Sequence, residues 1–200
     1  MLTRREIISG LYGAGRFLLL DPKAVEWFEP GWRAALRSFW VLVVVLPMGI
    51  VMNWYSYHPY FPHYNVDTTS YLLATTLVPL PFVGLGLYLT WLFSKWEGAA
   101  EHFPRLLNAT NWYGLLSSFV FLPLFLLSET DWLTHNAREA VATGYFAIGL
   151  AYMWFITWRI LKVNPFMAAG ISMISGIVTT PVFDLINLHF FGVARPFFAQ

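Results

Sequence analysis

Five stretches of this chain are apolar over nearly the length a helix needs to cross a bilayer. They run at about 39–55, 71–93, 112–127, 141–161 and 166–188. A hydrocarbon core of roughly 30 Å takes about 20 mostly apolar helical residues. The first and third stretches are short by themselves. The third extends back through Arg105 to Asn111, where its polar end would lie among headgroups. Backbone polar groups in hydrocarbon must be satisfied within the structure. The expected fold is therefore an all-α integral membrane protein, a bundle of five transmembrane helices over residues 39–200. Residues 1–38 form an amphipathic amino-terminal segment. Only 12% of the residues are charged, whereas a soluble domain carries about 25%. A chain this poor in charge cannot cover its surface with groups that water would hydrate.

With five crossings the two termini lie on opposite faces. Arg4, Arg5, Arg16, Lys23, Arg33, Arg37, Lys95, Arg105, Arg159 and Lys162 fall on the amino-terminal side, and only Arg138 and Arg195 on the other. Basic residues concentrate on the cytoplasmic face of membrane proteins. The expected orientation thus has the amino terminus cytoplasmic and the carboxyl terminus outside. Trp54, Tyr55, Tyr57 and Tyr60 mark the outer interface, and Trp91 and Trp96 the inner one. Four crossings contain proline, at Pro47, at Pro79 with Pro81, at Pro123 and at Pro181. These positions predict kinks, which neighbouring helices make tolerable.

Ahead of the first crossing, residues 5–20 carry Ile7, Ile8, Leu11, Tyr12, Phe17, Leu18 and Leu19 largely on one helical side, with Arg4, Arg5 and Arg16 as the polar side. Gly10, Gly13 and Gly15 weaken this as a helix. The pattern predicts a surface segment lying in the headgroup region. The run GLYGAG lacks the Gly-Lys-Ser/Thr ending and the preceding strand of a phosphate loop. Asp21-Pro22 predicts an N-cap with proline at the first position of a short helix, and Glu29-Pro30-Gly31 predicts a turn.

Asp184 is the most informative single residue, because an intramembrane carboxylate costs about 2.5–3.5 kcal/mol at a helix centre. Two readings stand. Asp184 can be a proton, cation or interhelical contact site, completed by Thr179, Thr180 and Asn187 beside the carbonyl that Pro181 frees. Alternatively it lies at the outer interface and simply touches water. On the same stretch Ala168, Ser172, Gly176 and Thr180 recur at spacing four, a ribbon of small residues that permits close helix packing. The ribbon can serve packing inside this chain or an oligomer seam. Arg33, Arg37, Lys95, Arg105, Arg159 and Lys162 form a basic cytoplasmic face, which is a topology signal and a possible surface for anionic lipid or a partner. Glu101 and Arg105 stand at the spacing of a helical ion pair. His58, His63 and Asp67 in the outer loop match no strong metal motif.

The absence of cysteine excludes disulfides and thiol chemistry, and a net charge of +1 with no basic tract argues against a nucleic-acid partner. No Ser-His-Asp arrangement, no His-Glu-x-x-His and no paired intramembrane carboxylates are present. The expectation is a chain without catalysis, cofactor or metal.

Several features carry a family resemblance. They are Asp21-Pro22 ahead of the first span, and a short inner connector with Phe103, Arg105, Leu106 and Leu107. Pro123 late in the third span and the basic connector WRILKVNPFMAAG complete them. With these the chain resembles the Yip (Ypt-interacting protein) family of five-span membrane proteins, and its bacterial branch in particular. Eukaryotic members carry Asp-Leu-Tyr-Gly-Pro before the membrane; only Leu11-Tyr12-Gly13 is present here. The resemblance implies a membrane-organising protein, an adaptor or a subunit of a larger membrane complex. Its partners would be membrane lipids and further protein copies or subunits, in a bacterial inner membrane. The alternatives are a small transporter or channel using Asp184, and a membrane enzyme acting on lipid. If Asp184 acts through hydrogen bonding, Asp184→Ala alters assembly or activity while Asp184→Asn is tolerated. Wild-type behaviour of both variants in native gels and flux assays would remove the site.

Overall fold

The computed structural model describes residues 2–57, 67–128 and 133–174, and no strand occurs among them. Helix α1 spans Arg4–Leu18 and is followed by a 3-10 turn at Pro22–Trp27. Helix α2 spans Trp32–Ser38, and a second 3-10 turn, Phe39–Val41, leads into α3 at Leu42–Tyr57. Then come α4 (Thr68–Leu77), α5 (Pro79–Trp96), α6 (Phe103–Ser128), α7 (His135–Leu161) and α8 (Pro165–Ile174). Among the described residues four segments are long and apolar enough to cross a membrane. These are Trp32–Met52, Thr68–Trp96, Ala100–Leu127 and His135–Leu161. The protein is a helical, multi-pass membrane protein. Of the fifth apolar stretch only α8 is described. Gly176, Thr179, Thr180, Pro181, Asp184 and Asn187 lie outside the described residues, as do His58 and His63.

The exposed surface fits a lipid solvent. Val43, Leu73, Phe119, Val120, Phe146 and Ile148 all face outward. Water would oppose so many exposed apolar side chains, and hydrocarbon does not. The first crossing begins at Trp32, ahead of the apolar run, because α2, the 3-10 turn and α3 follow one another without a loop. Arg33 and Arg37 therefore ride on the crossing itself. Helix α6 takes in Arg105–Asn111; its 26 residues are roughly 39 Å long at 1.5 Å per residue, more than the core of the bilayer.

Proline acts unequally. Pro47 and Pro123 sit inside the continuous helices α3 and α6. Between α4 and α5 the second crossing breaks at Val78. Pro79 and Pro81 both lack an N–H, so two rungs of the ladder are lost within three residues. Pro79 then occupies the first position of α5, where no intrahelical donor is needed.

One buried cluster runs through the molecule. It joins Ala14 and Phe17 of α1, Phe28, Trp112 of α6, Tyr152 and Ile156 of α7, and Ala168 of α8. Helix α1 is part of this core, where the sequence predicted a segment resting on the surface. Its buried face is Gly10, Gly13, Ala14 and Phe17, one side of a 3.6-residue helix. The glycines expected to weaken α1 are where it makes its closest contacts. A Cβ built at Gly10 would come within 2.2 Å of the Trp112 indole, and one at Gly13 within 2.8 Å of the Phe28 ring. The Tyr152 hydroxyl donates to the carbonyl of Ala14 at 3.1 Å. Phe17 stacks on Phe28 at 5.7 Å and meets Tyr152 and Phe155 edge-on. The lost helix propensity is at most about 1 kcal/mol per glycine, which aromatic burial of this kind exceeds.

Small residues also set the spacing elsewhere. Ala35 and Ser38 are buried where α2 packs on α6. Gly86, Thr90 and Ser94 form a buried ribbon on α5, with Thr90 Oγ1 donating to Gly86 O at 2.8 Å and Ser94 Oγ to Thr90 O at 2.7 Å.

Gly10→Ala should therefore destabilise the protein by about 1–3 kcal/mol through overpacking. Gly15, with no atom within 4 Å of an added Cβ, should accept alanine with a gain of up to about 1 kcal/mol. Thermal unfolding of both variants in detergent tests the ordering; the reverse ordering would mean that α1 is not seated on Trp112.

Candidate functional site at the basic end of the bundle

The sequence singled out six cations, and their positions bring them to one end of the helices. Arg33 and Arg37 lie on α2 at the start of the first crossing. Lys95 is in the last turn of α5, Arg105 in the first turn of α6, Arg159 in the last turn of α7, and Lys162 just beyond it. Because the crossings alternate in direction, all six share an end. Their surroundings differ.

Arg37 is neutralised. Its Nη2 lies 2.7 Å from Glu6 Oε2. The same oxygen accepts from the Thr3 backbone N–H at 2.7 Å, while Thr3 Oγ1 accepts from Glu6 N at 3.2 Å. This is a capping box, so one carboxylate both starts α1 and ties it to α2. Burial alone would raise the Glu6 pKa. The hydrogen bonds from Thr3 and the attraction of Arg37 outweigh it and hold the carboxyl below its ordinary value. Behind this pair lies a polar seam. Asn111 Nδ2 donates to Ser38 Oγ at 2.8 Å, Ser38 Oγ donates to Ala35 O at 2.7 Å, and Asn108 Nδ2 donates to Glu29 O at 3.3 Å.

Two cations lie on aromatic rings. Lys95 Nζ is 5.4 Å from the Trp91 ring, and the Arg159 guanidinium is 5.0 Å from Trp158 and 5.9 Å from Phe155. Such pairs suit a membrane interface, where the stem is in hydrocarbon and the charge reaches water. The Arg105 Nε is buried with no hydrogen-bond partner. Its expected pairing with Glu101 does not form. Residues Ala100–His102 are a 3-10 turn ahead of α6, so the spacing-four geometry of an α-helix does not apply, and Glu101 instead lies 3.6 Å from His102. Arg33 and Lys162 are exposed, with no carboxylate partner among the described residues.

Helix α1 adds a surface to this end. Opposite its buried glycines it exposes Ile8 and Tyr12, with Arg4 and Arg5 at its start and Leu19 exposed at its C-cap. Tyr12 is held edge-on by Trp27 at 4.4 Å, with Arg16 5.7 Å over its ring. Arg16 itself pairs with Asp21, whose Oδ1 accepts from Lys23 N at 2.9 Å and so caps the 3-10 turn at the predicted Asp21-Pro22. Of the small-residue ribbon, Ala168 is fully buried in this chain's own core, and Ser172 Oγ donates to Ala169 O at 2.9 Å. Asp67 N-caps α4 through Ser70 N at 2.7 Å. Among the described residues no cluster of three metal-ligating side chains occurs. The arrangement offers exposed cations beside exposed apolar side chains, a chemistry suited to acidic headgroups and to docking.

The sign of the Glu6 shift makes a prediction. Its folded pKa is depressed, so its contribution is complete above the unfolded value of 4.5 and is lost as pH falls through the lower folded value. In detergent, thermal stability should drop over that window by roughly 1 kcal/mol, as for a partly exposed pair. Glu6→Gln should start lower and lack the step; a variant that titrates like the wild type would show the linkage to lie elsewhere. No protein-family model matches the chain, and neither a curated protein nor a solved structure is significantly similar to it.

Proposed function

We propose that this chain is a non-catalytic adaptor or membrane-organising protein, akin to the bacterial Yip-like proteins, whose basic end faces the cytoplasm. The observation that carries the reading is the double-faced α1. One apolar face is fixed in the bundle core through Gly10, Ala14 and Phe17, so α1 is held at a set position. Its other face leaves Ile8 and Tyr12 exposed, with Arg4 and Arg5 at its start. A rigid element that buries one side and offers another is suited to docking. Free cations nearby, each contributing about 1 kcal/mol against an acidic leaflet, would hold that face at the cytoplasmic lipid surface. The transporter alternative rests on Asp184, outside the described residues, and no described feature favours it.

The test is copurification from native membrane with a variant that changes only the outer face, Arg4→Glu with Arg5→Glu and Ile8→Glu. Wild-type protein should bring down a stoichiometric partner that the variant loses at least tenfold, with unfolding in detergent unchanged. A wild type that recovers no partner, or a variant that keeps it, overturns the adaptor reading. Flux in proteoliposomes that Asp184→Ala abolishes would install the transporter in its place.

A further inference from the structure

Helices α5, α6, α7 and α8 leave a cavity between them. It offers about 120 Å³ of space, and about 500 Å³ with open solvent at its mouth included. An apolar protein cavity of about 150 Å³ accepts a benzene-sized guest, so there is room for part of a slender chain. Leu87, Leu106, Met153 and Ile171 supply apolar wall. Among the described residues four hydroxyls break it, one from each helix: Thr90, Thr110, Thr157 and Ser172. Among the described residues no charged side chain lines it.

The hydroxyls are not equivalent. Thr90 Oγ1 donates to Gly86 O, Thr110 Oγ1 to Leu107 O and Ser172 Oγ to Ala169 O. Their hydrogens are committed within their own helices, leaving lone pairs. Thr157 is 1% exposed and lines the cavity, and no hydrogen bond of its hydroxyl is found among the described residues. A helical threonine can donate back to a carbonyl of the preceding turn; a cavity-lining hydroxyl that does not do so has both its hydrogen and its lone pairs to offer a guest. The four hydroxyls lie roughly 6–11 Å from the ends of their helices, at 1.5 Å per residue, a depth where the polar group of a shallow amphiphile meets its chain.

We propose that this cavity binds an uncharged single-chain lipid alcohol, its hydroxyl paired with Thr157 and its chain laid against Leu87, Leu106, Met153 and Ile171. A carboxylate or ammonium head is disfavoured, because it would lose water with no counter-charge among the described wall residues. An alkane lacks the donor and acceptor that Thr157 requires. Such a site stands whether or not the basic end docks a partner.

The probe is 1-dodecanol bearing a terminal diazirine, photolysed with the purified full-length protein in detergent and mapped by mass spectrometry. Labels should fall on the α5–α8 segments that wall the cavity. Unlabelled dodecanol should compete at least fivefold better than dodecane or dodecanoate. Thr157→Val, which keeps the shape and removes the hydroxyl, should weaken dodecanol about fivefold to tenfold, the effect of one hydrogen bond, and leave dodecane unchanged. Ser172→Phe, which narrows the cavity from a second helix, should abolish labelling. Labels spread over the outward-facing residues, equal competition by all three chains, or an unchanged Thr157→Val would overturn the proposal. If Thr157→Val fails to fold, label position and competition on the wild type decide alone.

Discussion

The contact on which the rest of this structure depends is the seating of Gly10 on the indole of Trp112. It brings α1 against α6 at a distance that no other residue at position 10 allows. Once that approach is made, Ala14 reaches the Tyr152 hydroxyl and Phe17 enters the aromatic group of Phe28, Tyr152 and Phe155. Helix packing in lipid has no water-driven term between crossings, so close contact and hydrogen bonds supply the association. The amino-terminal end of the molecule follows that rule in the same way as the crossings do.

The polar contacts extend the same joint. Glu6 closes the first turn of α1 and grips Arg37, and Ser38 and Asn111 join α2 to α6 directly behind it. The result is that the cations of this end fall into distinct groups. Arg37 and Arg16 are consumed by carboxylates, Lys95 and Arg159 are spread over rings, and Arg4, Arg5, Arg33 and Lys162 face outward. Any docking by this end uses the third group together with the outer face of α1.

Hydropathy made the membrane class and the approximate crossings legible, because a run of apolar residues needs no partner to be recognised. The ends were less legible. Arg33 and Arg37 read as a flank but belong to the crossing, since amphipathic turns continue a rod beyond its apolar part, whereas the backward extension of the third crossing through Arg105 was legible. Glycine was the hardest residue to interpret. A glycine that weakens a helix and a glycine that admits an indole look alike in one sequence, and the partner that distinguishes them is 102 positions away (112 minus 10). Other signals were present in the chain. Thr3-x-x-Glu6 has the capping-box spacing, and Gly86, Thr90 and Ser94 obey the same rule of four as Ala168 and Ser172. The hydroxyl cavity has no linear signature at all, because each helix contributes one oxygen to it.

The hydrogen bond between Tyr152 and Ala14 spans 138 residues, which has a consequence for biogenesis. Helix α1 leaves the ribosome before the four described crossings, yet its seat is built from α6 and α7, the third and fourth of them. During synthesis it must wait at the membrane surface with both apolar sides uncovered. Contacts of such separation form late, so the amino-terminal element is locked only after α7 is made, and a chain halted before α7 would display that second greasy side to chaperones and proteases.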